Sequence, residues 1–243
     1  AVNFIKSKIY SIVKNKKYAD ILTNFDHPFT AKRPTLNTNY YEMFNKKNVE
    51  LVDLKQSPLI NITKRGIKTN KGEYILDKII FATGFDALTG SILKLNITGK
   101  KGINLSKFWS KGPKSFLGLL VPNFPNLFIV SGPGSPSVLT NVPVQIEQHV
   151  NWITNCIKYL EKNRKKSIET TNLAAKKWQK EIMNSVKKTL FMKAKSSWYK
   201  GDNIPGKPKT FLPYPGGMPK YKNECLKVEK NKYKELKLSL IHI

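Results

Sequence analysis

The chain has 243 residues, enough for one large domain or two small ones, and its 43 Lys and Arg against 16 Asp and Glu give a net charge of +27. Cys156 and Cys225 offer no disulfide framework and no metal spacing, which suits a reducing cytosol, and no apolar run nears the ~20 residues that a membrane helix needs. Only Arg33, Arg65 and Arg164 are arginine, and the lysines are scattered rather than interleaved with aromatics on one face, so a basic nucleic-acid-binding module is the weaker reading of the charge.

The apolar spacing of Phe4, Ile5, Ile9, Ile12 and Val13 predicts a helix over Phe4 to Val13, followed by a loop from Asp20 to Thr35 with Pro28 and Pro34. Val49 to Asp53 alternates and reads as a strand. Ile60 to Ile62 and Gly66 to Thr69 read as a hairpin, with a turn at Lys71-Gly72 into Tyr74 to Leu76. An apolar strand from Lys78 to Phe81 runs into Ala82-Thr83-Gly84, where small residues let the backbone pass close to a ligand. Leu127 to Ser131 reads as a buried strand. Asn141 as N-cap and Pro143 as an early helical residue start a helix with Ile146, Val150, Ile153, Ile157 and Leu160 on one face. A second helix spans roughly Asn172 to Leu190, with Leu173, Trp178, Ile182 and Val186. From Phe191 onward Pro, Gly and aromatics predict an extended segment.

Taken alone, the residues that could carry chemistry leave plain structural readings open. Thr83-Gly84 could end an ordinary strand, and Lys32-Arg33 could be a solvated basic pair. The run from Gly132 to Asn141 could only shape a turn, and Trp198 could be a core aromatic. His27, His149 and His242 have no partners in sequence that mark a catalytic base, and His149 reads as a structural helix residue. No metal-ligand constellation and no Ser-His-Asp arrangement stand out.

The ordered set Ala31-Lys-Arg-Pro34, Asn39-Tyr-Tyr-Glu-Met-Phe-Asn45, Phe81-Ala-Thr-Gly-Phe-Asp-Ala87, Phe124-Pro-Asn-Leu-Phe128 and Gly132-Pro-Gly-Ser-Pro-Ser137 changes the balance. Ile146-Glu-Gln-His-Val150, Ser197-Trp198, Asn203-Ile-Pro-Gly-Lys207 and Tyr214-Pro-Gly-Gly217 continue it. In order and spacing, from about Phe4 to about Leu236, the chain resembles the C-terminal half of Baeyer–Villiger monooxygenases of the cyclohexanone and phenylacetone type.

That resemblance implies an α/β fold: part of a flavoprotein with two Rossmann-like dinucleotide-binding domains and a largely irregular C-terminal wrap. Residues 1–80 would be the late part of an NADP-binding domain, 81–190 the closing part of an FAD-binding domain, and 191–237 an extended tail. It implies FAD and NADPH as cofactors and oxygen insertion beside a ketone carbonyl through a C4a-peroxyflavin, giving an ester or lactone. Partners would be a small-molecule ketone and O2, with neither nucleic acid nor membrane, in the cytoplasm. An N- or S-oxygenating flavin monooxygenase is the alternative within the class.

Residue by residue, the resemblance makes Arg33 the catalytic cation and Lys32 the contact to the 2′-phosphate of NADP. Thr83, Gly84, Asn141, Val142 and Trp198 would hold cofactors, and Ser137, Val138 and Leu139 would line the ketone pocket. Phe211 and Pro213 fall where other pocket residues lie. Arginine at position 33 fits a role that needs a fixed, planar cation, since the chain has turned to lysine almost everywhere else. No Gly-x-Gly-x-x-Gly turn occurs. The two that the resemblance implies, with a histidine-containing fingerprint, are expected upstream of Ala1 in a missing N-terminal half of the same polypeptide. Leu238 to Ile243 corresponds to CTG-TCT-CTT-ATA-CAC-ATC, a transposase adapter end. Residues 238–243 are therefore expected to be a translated artefact that makes no contacts.

Overall fold

The computed structural model describes residues 1–240. The chain divides into two compact units, Ala1–Gly84 and the residues from Phe85 onward.

In the first unit, α1 (Val2–Ile12) and α2 (Lys16–Leu22) bury Ile9, Val13 and Ala19 against Phe44, with Tyr18, Tyr41, Val49 and Leu51 around them. Asn15 caps α2 by accepting the Tyr18 N–H at 3.3 Å. Asn45 closes α1: its amide donates to the Ile12 carbonyl at 2.8 Å and accepts the Lys14 N–H at 2.9 Å. Beyond lies an antiparallel meander of β1 (Leu59–Ile62), β2 (Gly66–Thr69) and β3 (Gly72–Ile75), with Ile67 opposite Tyr74.

Three expectations for this unit are corrected. The loop begins after Leu22, because α2 occupies Asp20 to Leu22. Val49 to Asp53 is not a strand, although Val49 and Leu51 still pack into the core. Lys78 to Phe81 is not a strand either, and Ile80 and Phe81 are exposed. A strand persists only where a neighbour takes its N–H and C=O groups, and among the described residues the sheet ends at β3.

In the second unit, short helices α3 (Gly90–Leu93) and α4 (Leu105–Phe108) surround a small cluster of Leu105, Trp109, Val121 and Phe124. The main core lies among α5 (Val142–Lys162), α6 (Asn172–Val186) and α7 (Met218–Lys230). Trp152 on α5 donates Nε1–H to the Cys225 carbonyl on α7 at 3.0 Å. Trp178 stacks on Tyr214 with centroids 4.9 Å apart and donates to the Gly134 carbonyl at 2.9 Å. Each buried indole thus has its polar edge satisfied. Burial pushes the thiols of Cys156 and Cys225 up to about 12, so both act as apolar filler. Thr171 caps α6 through the Ala174 N–H at 3.0 Å.

Here too the structure differs from expectation. Leu127 to Ser131 forms only an isolated bridge, Leu120 to Phe128. The buried face of α5 is Gln145, His149, Trp152, Cys156 and Leu160, while Ile146, Val150 and Ile157 are exposed. Leu173 is exposed on α6. Residues 191–237 are not extended throughout, because α7 places Tyr221, Cys225 and Val228 in the core at helical spacing. Residues 238–243 were expected to have no partner. Instead β5 (Leu236–Ser239) pairs antiparallel with β4 (Ser167–Thr170), Leu238 opposite Ile168 and Ser239 opposite Ser167. Ile168 is fully buried, and a second strand completes its backbone bonding. The expectation for 241–243 lies outside the described residues. No helix among the described residues is long and apolar enough to cross a membrane.

Candidate functional site

In the first unit Lys32 and Arg33 lie in the loop after α2. Ala31 is fully buried beneath them and its N–H bonds the Pro28 carbonyl at 3.1 Å, which pins the loop. Lys32 is half-buried, with Nζ 3.6 Å from the Asp26 carboxylate. The Asp26 carboxyl is held below the usual carboxylate range, first by the hydrogen bond from His27 and further by Lys32. Arg33 is exposed and makes no hydrogen bond or ion pair among the described residues. Both side chains edge a cavity of about 80 Å³, with Phe25, Phe29 and Pro34 as apolar walls. The result is one loosely held point cation and one free guanidinium. Thr83 and Gly84 close this unit. Both are exposed, and Gly84 has φ of +83°, a conformation that favours glycine.

In the second unit the turn from Gly132 to Ser137 leads into α5. Ser115 and Ser135 hydroxyls donate to the carbonyls of Pro133 and Gly132. Gly134 N–H bonds the Leu212 carbonyl at 2.6 Å, and Tyr214 N–H bonds the Ser135 carbonyl at 2.7 Å. The segment around Phe211, itself buried, therefore works as a strap over the turn. Ser137 is buried at φ of +48°, within a short 3-10 turn with Val138 and Leu139, whose side chains are half-buried. Asn141 is exposed and caps α5 through the Val144 N–H at 3.3 Å; Val142 is half-buried and begins the helix. No acidic residue occupies the first turn of this 21-residue helix, so its positive dipole end is uncompensated. Trp198 is half-buried, 4.4 Å centroid to centroid from Tyr199, and packs against the same core as Val138 and Leu139.

Behind the turn lies a polar network not foreseen from sequence. His149 is fully buried on α5. Its Nδ1 accepts the Ser131 N–H at 3.0 Å, which leaves Nε2–H to donate to the Tyr221 hydroxyl at 2.8 Å. Tyr221 passes its own proton to the Leu117 carbonyl at 2.7 Å. Gln145 donates to Ser131 and Ser135 hydroxyls at 3.2 and 3.1 Å. Burial lowers His149 to about 4, so it is neutral at physiological pH. The one available signal was the pairing of Gln145 and His149 at i, i+4. Among the described residues no group of acidic, histidine and cysteine side chains could hold a metal ion.

No protein-family model matches the chain. Among known proteins, a cyclohexanone 1,2-monooxygenase of an Acinetobacter species is 41% identical over 99% of this chain and 44% of its own length. A Baeyer–Villiger monooxygenase of Pseudooceanicola batsensis is 40% identical over 97% of this chain and 43% of its own. The solved structure of OTEMO in complex with FAD and NADP superposes with a TM-score of 0.92 at 36% identity, covering 98% of this chain and 44% of that one. The chain is a relative of the Baeyer–Villiger monooxygenases, matched along nearly all of its own length and along less than half of theirs.

Proposed function

We propose that this chain forms part of an NADPH- and FAD-dependent monooxygenase that inserts oxygen beside a ketone carbonyl, giving an ester or lactone. One observation above all supports the reading: the ordered motifs lie in a fold that superposes almost end to end on a relative holding FAD and NADP. The side chains present fit such groups. Among the described residues Arg33 is a cation without a counter-ion, Lys32 is only loosely held, and α5 opens on solvent with no acid in its first turn. When bound, FAD would supply the oxygen-activating centre and NADPH the hydride.

In this reading residues 1–80 belong to the NADP side, 81–190 to the FAD side, and 191–237 to a tail over the second. Arg33 holds a fixed positive charge where negative charge develops on oxygen, a role that a rigid, always-charged fork fills well. Lys32 would contact the 2′-phosphate of NADP. Thr83, Gly84, Asn141 and Val142 would border the flavin, Trp198 would brace the nicotinamide ribose, and Ser137, Val138 and Leu139 would shape the ketone side. Buried free thiols at Cys156 and Cys225 suit the reducing, NADPH-supplying cytoplasm.

The test is a chimera in which this chain replaces the matching stretch of the Acinetobacter relative. A yellow protein that consumes NADPH on addition of cyclohexanone and yields the lactone by gas chromatography is the expected result. The chain alone, which has no glycine-rich phosphate turn, should purify colourless. Flavin retained by the chain alone, or a chimera that folds around FAD yet makes no lactone, would sink the proposal.

Lys32 gives a second prediction. Charge-assisted contacts are worth ~1.5–3 kcal/mol, so Lys32→Ala in the chimera should raise the Michaelis constant for NADPH by roughly 10- to 100-fold. NADH should be nearly unaffected. Equal losses with both cofactors would make Lys32 a mere partner of Asp26.

A further inference from the structure

We infer that Lys207 and Asp86 form a clamp that fixes the loop from Ser197 to Lys207, and Trp198 with it, onto the Phe85-Asp86-Ala87 segment. The two residues stand 121 apart in sequence, yet Lys207 Nζ bonds the Asp86 carboxylate and also the Ala87 carbonyl, the latter at 3.1 Å. The Lys207 side chain is only 12% exposed. An ammonium so enclosed needs acceptors in the protein, and among the described residues it has these two.

The surroundings are shaped for both members. Gly201 sits at φ of +71°, and a Cβ there would lie 3.0 Å from the Pro208 carbonyl oxygen and 3.3 Å from the Lys207 Cδ and Cε atoms, so the lysine stem runs along glycine backbone. A Cβ on Gly90 would come within 2.7 Å of the Asp86 carboxylate, so the carboxylate rests on a second glycine. Two glycines at unrelated positions leave room for the two ends of one ion pair.

The loop is also stiff within itself. Asp202 accepts the Ser197 N–H at 2.6 Å and pairs with Lys200 at 2.9 Å. Lys200 and Tyr199 carbonyls accept the N–H groups of Thr210 and Leu212 at 2.9 and 2.8 Å. A braced loop held at its far end by Lys207 moves as a unit, so the clamp sets where Trp198 sits. The clamp itself does not rest on the proposed activity; that Lys207 and Asp86 serve as positioning residues, acting through Trp198, does rest on it.

Hydrogen–deuterium exchange on the full chain tests it. Lys207→Met and Asp86→Asn should each raise exchange at least tenfold at amides 198–207, with exchange on α5 and α6 unchanged. Lys207→Arg, whose fork can serve both acceptors, should keep the loop protected. Gly90→Ala, which pushes the carboxylate aside, should reproduce the loss without removing a charge. Unchanged loop exchange in both Lys207→Met and Asp86→Asn, or an equal rise along the whole chain, would overturn the inference.

Discussion

Replacing Arg33 with alanine in the chimera is expected to lower lactone formation by roughly 100- to 1,000-fold, the scale on which a lost charge-stabilising donor is felt. Flavin reduction by NADPH, followed by stopped-flow absorbance, should slow far less, because hydride transfer depends on positioning more than on this charge. The structure explains why the residue is available. Arg33 is exposed, has no acidic partner among the described residues, and sits on a loop pinned by buried Ala31. Lysine at this position should lose most of the activity as well, since it keeps the charge and loses the planar fork. Lactone formed by Arg33→Ala at the parental rate would remove Arg33 from the mechanism.

Acid should unfold this chain through His149. In the folded protein His149 lies near 4, against 6.5 for a free imidazole. Between those values the unfolded chain binds the extra proton and the folded chain does not, so stability falls as pH falls. The contribution is complete above about pH 6.5 and is lost progressively toward 4. At about 1.4 kcal/mol per pH unit this amounts to roughly 3 kcal/mol. The cost is concrete: a proton on Nδ1 would point at the Ser131 N–H that Nδ1 now accepts. Carboxylates such as Asp26 and Asp202, also held low, add their own acid sensitivity. The measurement is therefore a difference. Urea unfolding of wild type and His149→Gln at pH 7 and pH 4.5 should show the steeper loss in wild type. Equal slopes would mean that His149 titrates normally.

How much of this was legible in the sequence depended on how local each signal is. The start of α5 was readable because Asn141 and Pro143 act within one turn of themselves. The hairpin was readable for the same reason. The face of α5 was not. His149 reads as structural from sequence, but its partners do not, because Ser131 and Tyr221 are brought to it and to Gln145 from 14 to 72 positions away. Lys78 to Phe81 has the composition of a strand and, among the described residues, no neighbour to make it one. The helix α7 was hidden by the prolines and glycines before it, although Tyr221, Cys225 and Val228 carry its period. Pairing of Leu238 with Ile168 could not be read because β4 itself was not anticipated. The candidate site was legible as separate motifs. Asp86 and Lys207 both lie within them, and nothing local says that they meet.

The two-sided character of α5 bears on which of its positions should be left alone in redesign. Lysine is abundant in this chain, and α5 itself ends in it. Yet Ile146, Val150 and Ile157, which face outward, are aliphatic. By composition this stripe resembles interior, and a redesign that treated it as open surface for polar substitution would erase an aliphatic outward face on an otherwise amphipathic helix.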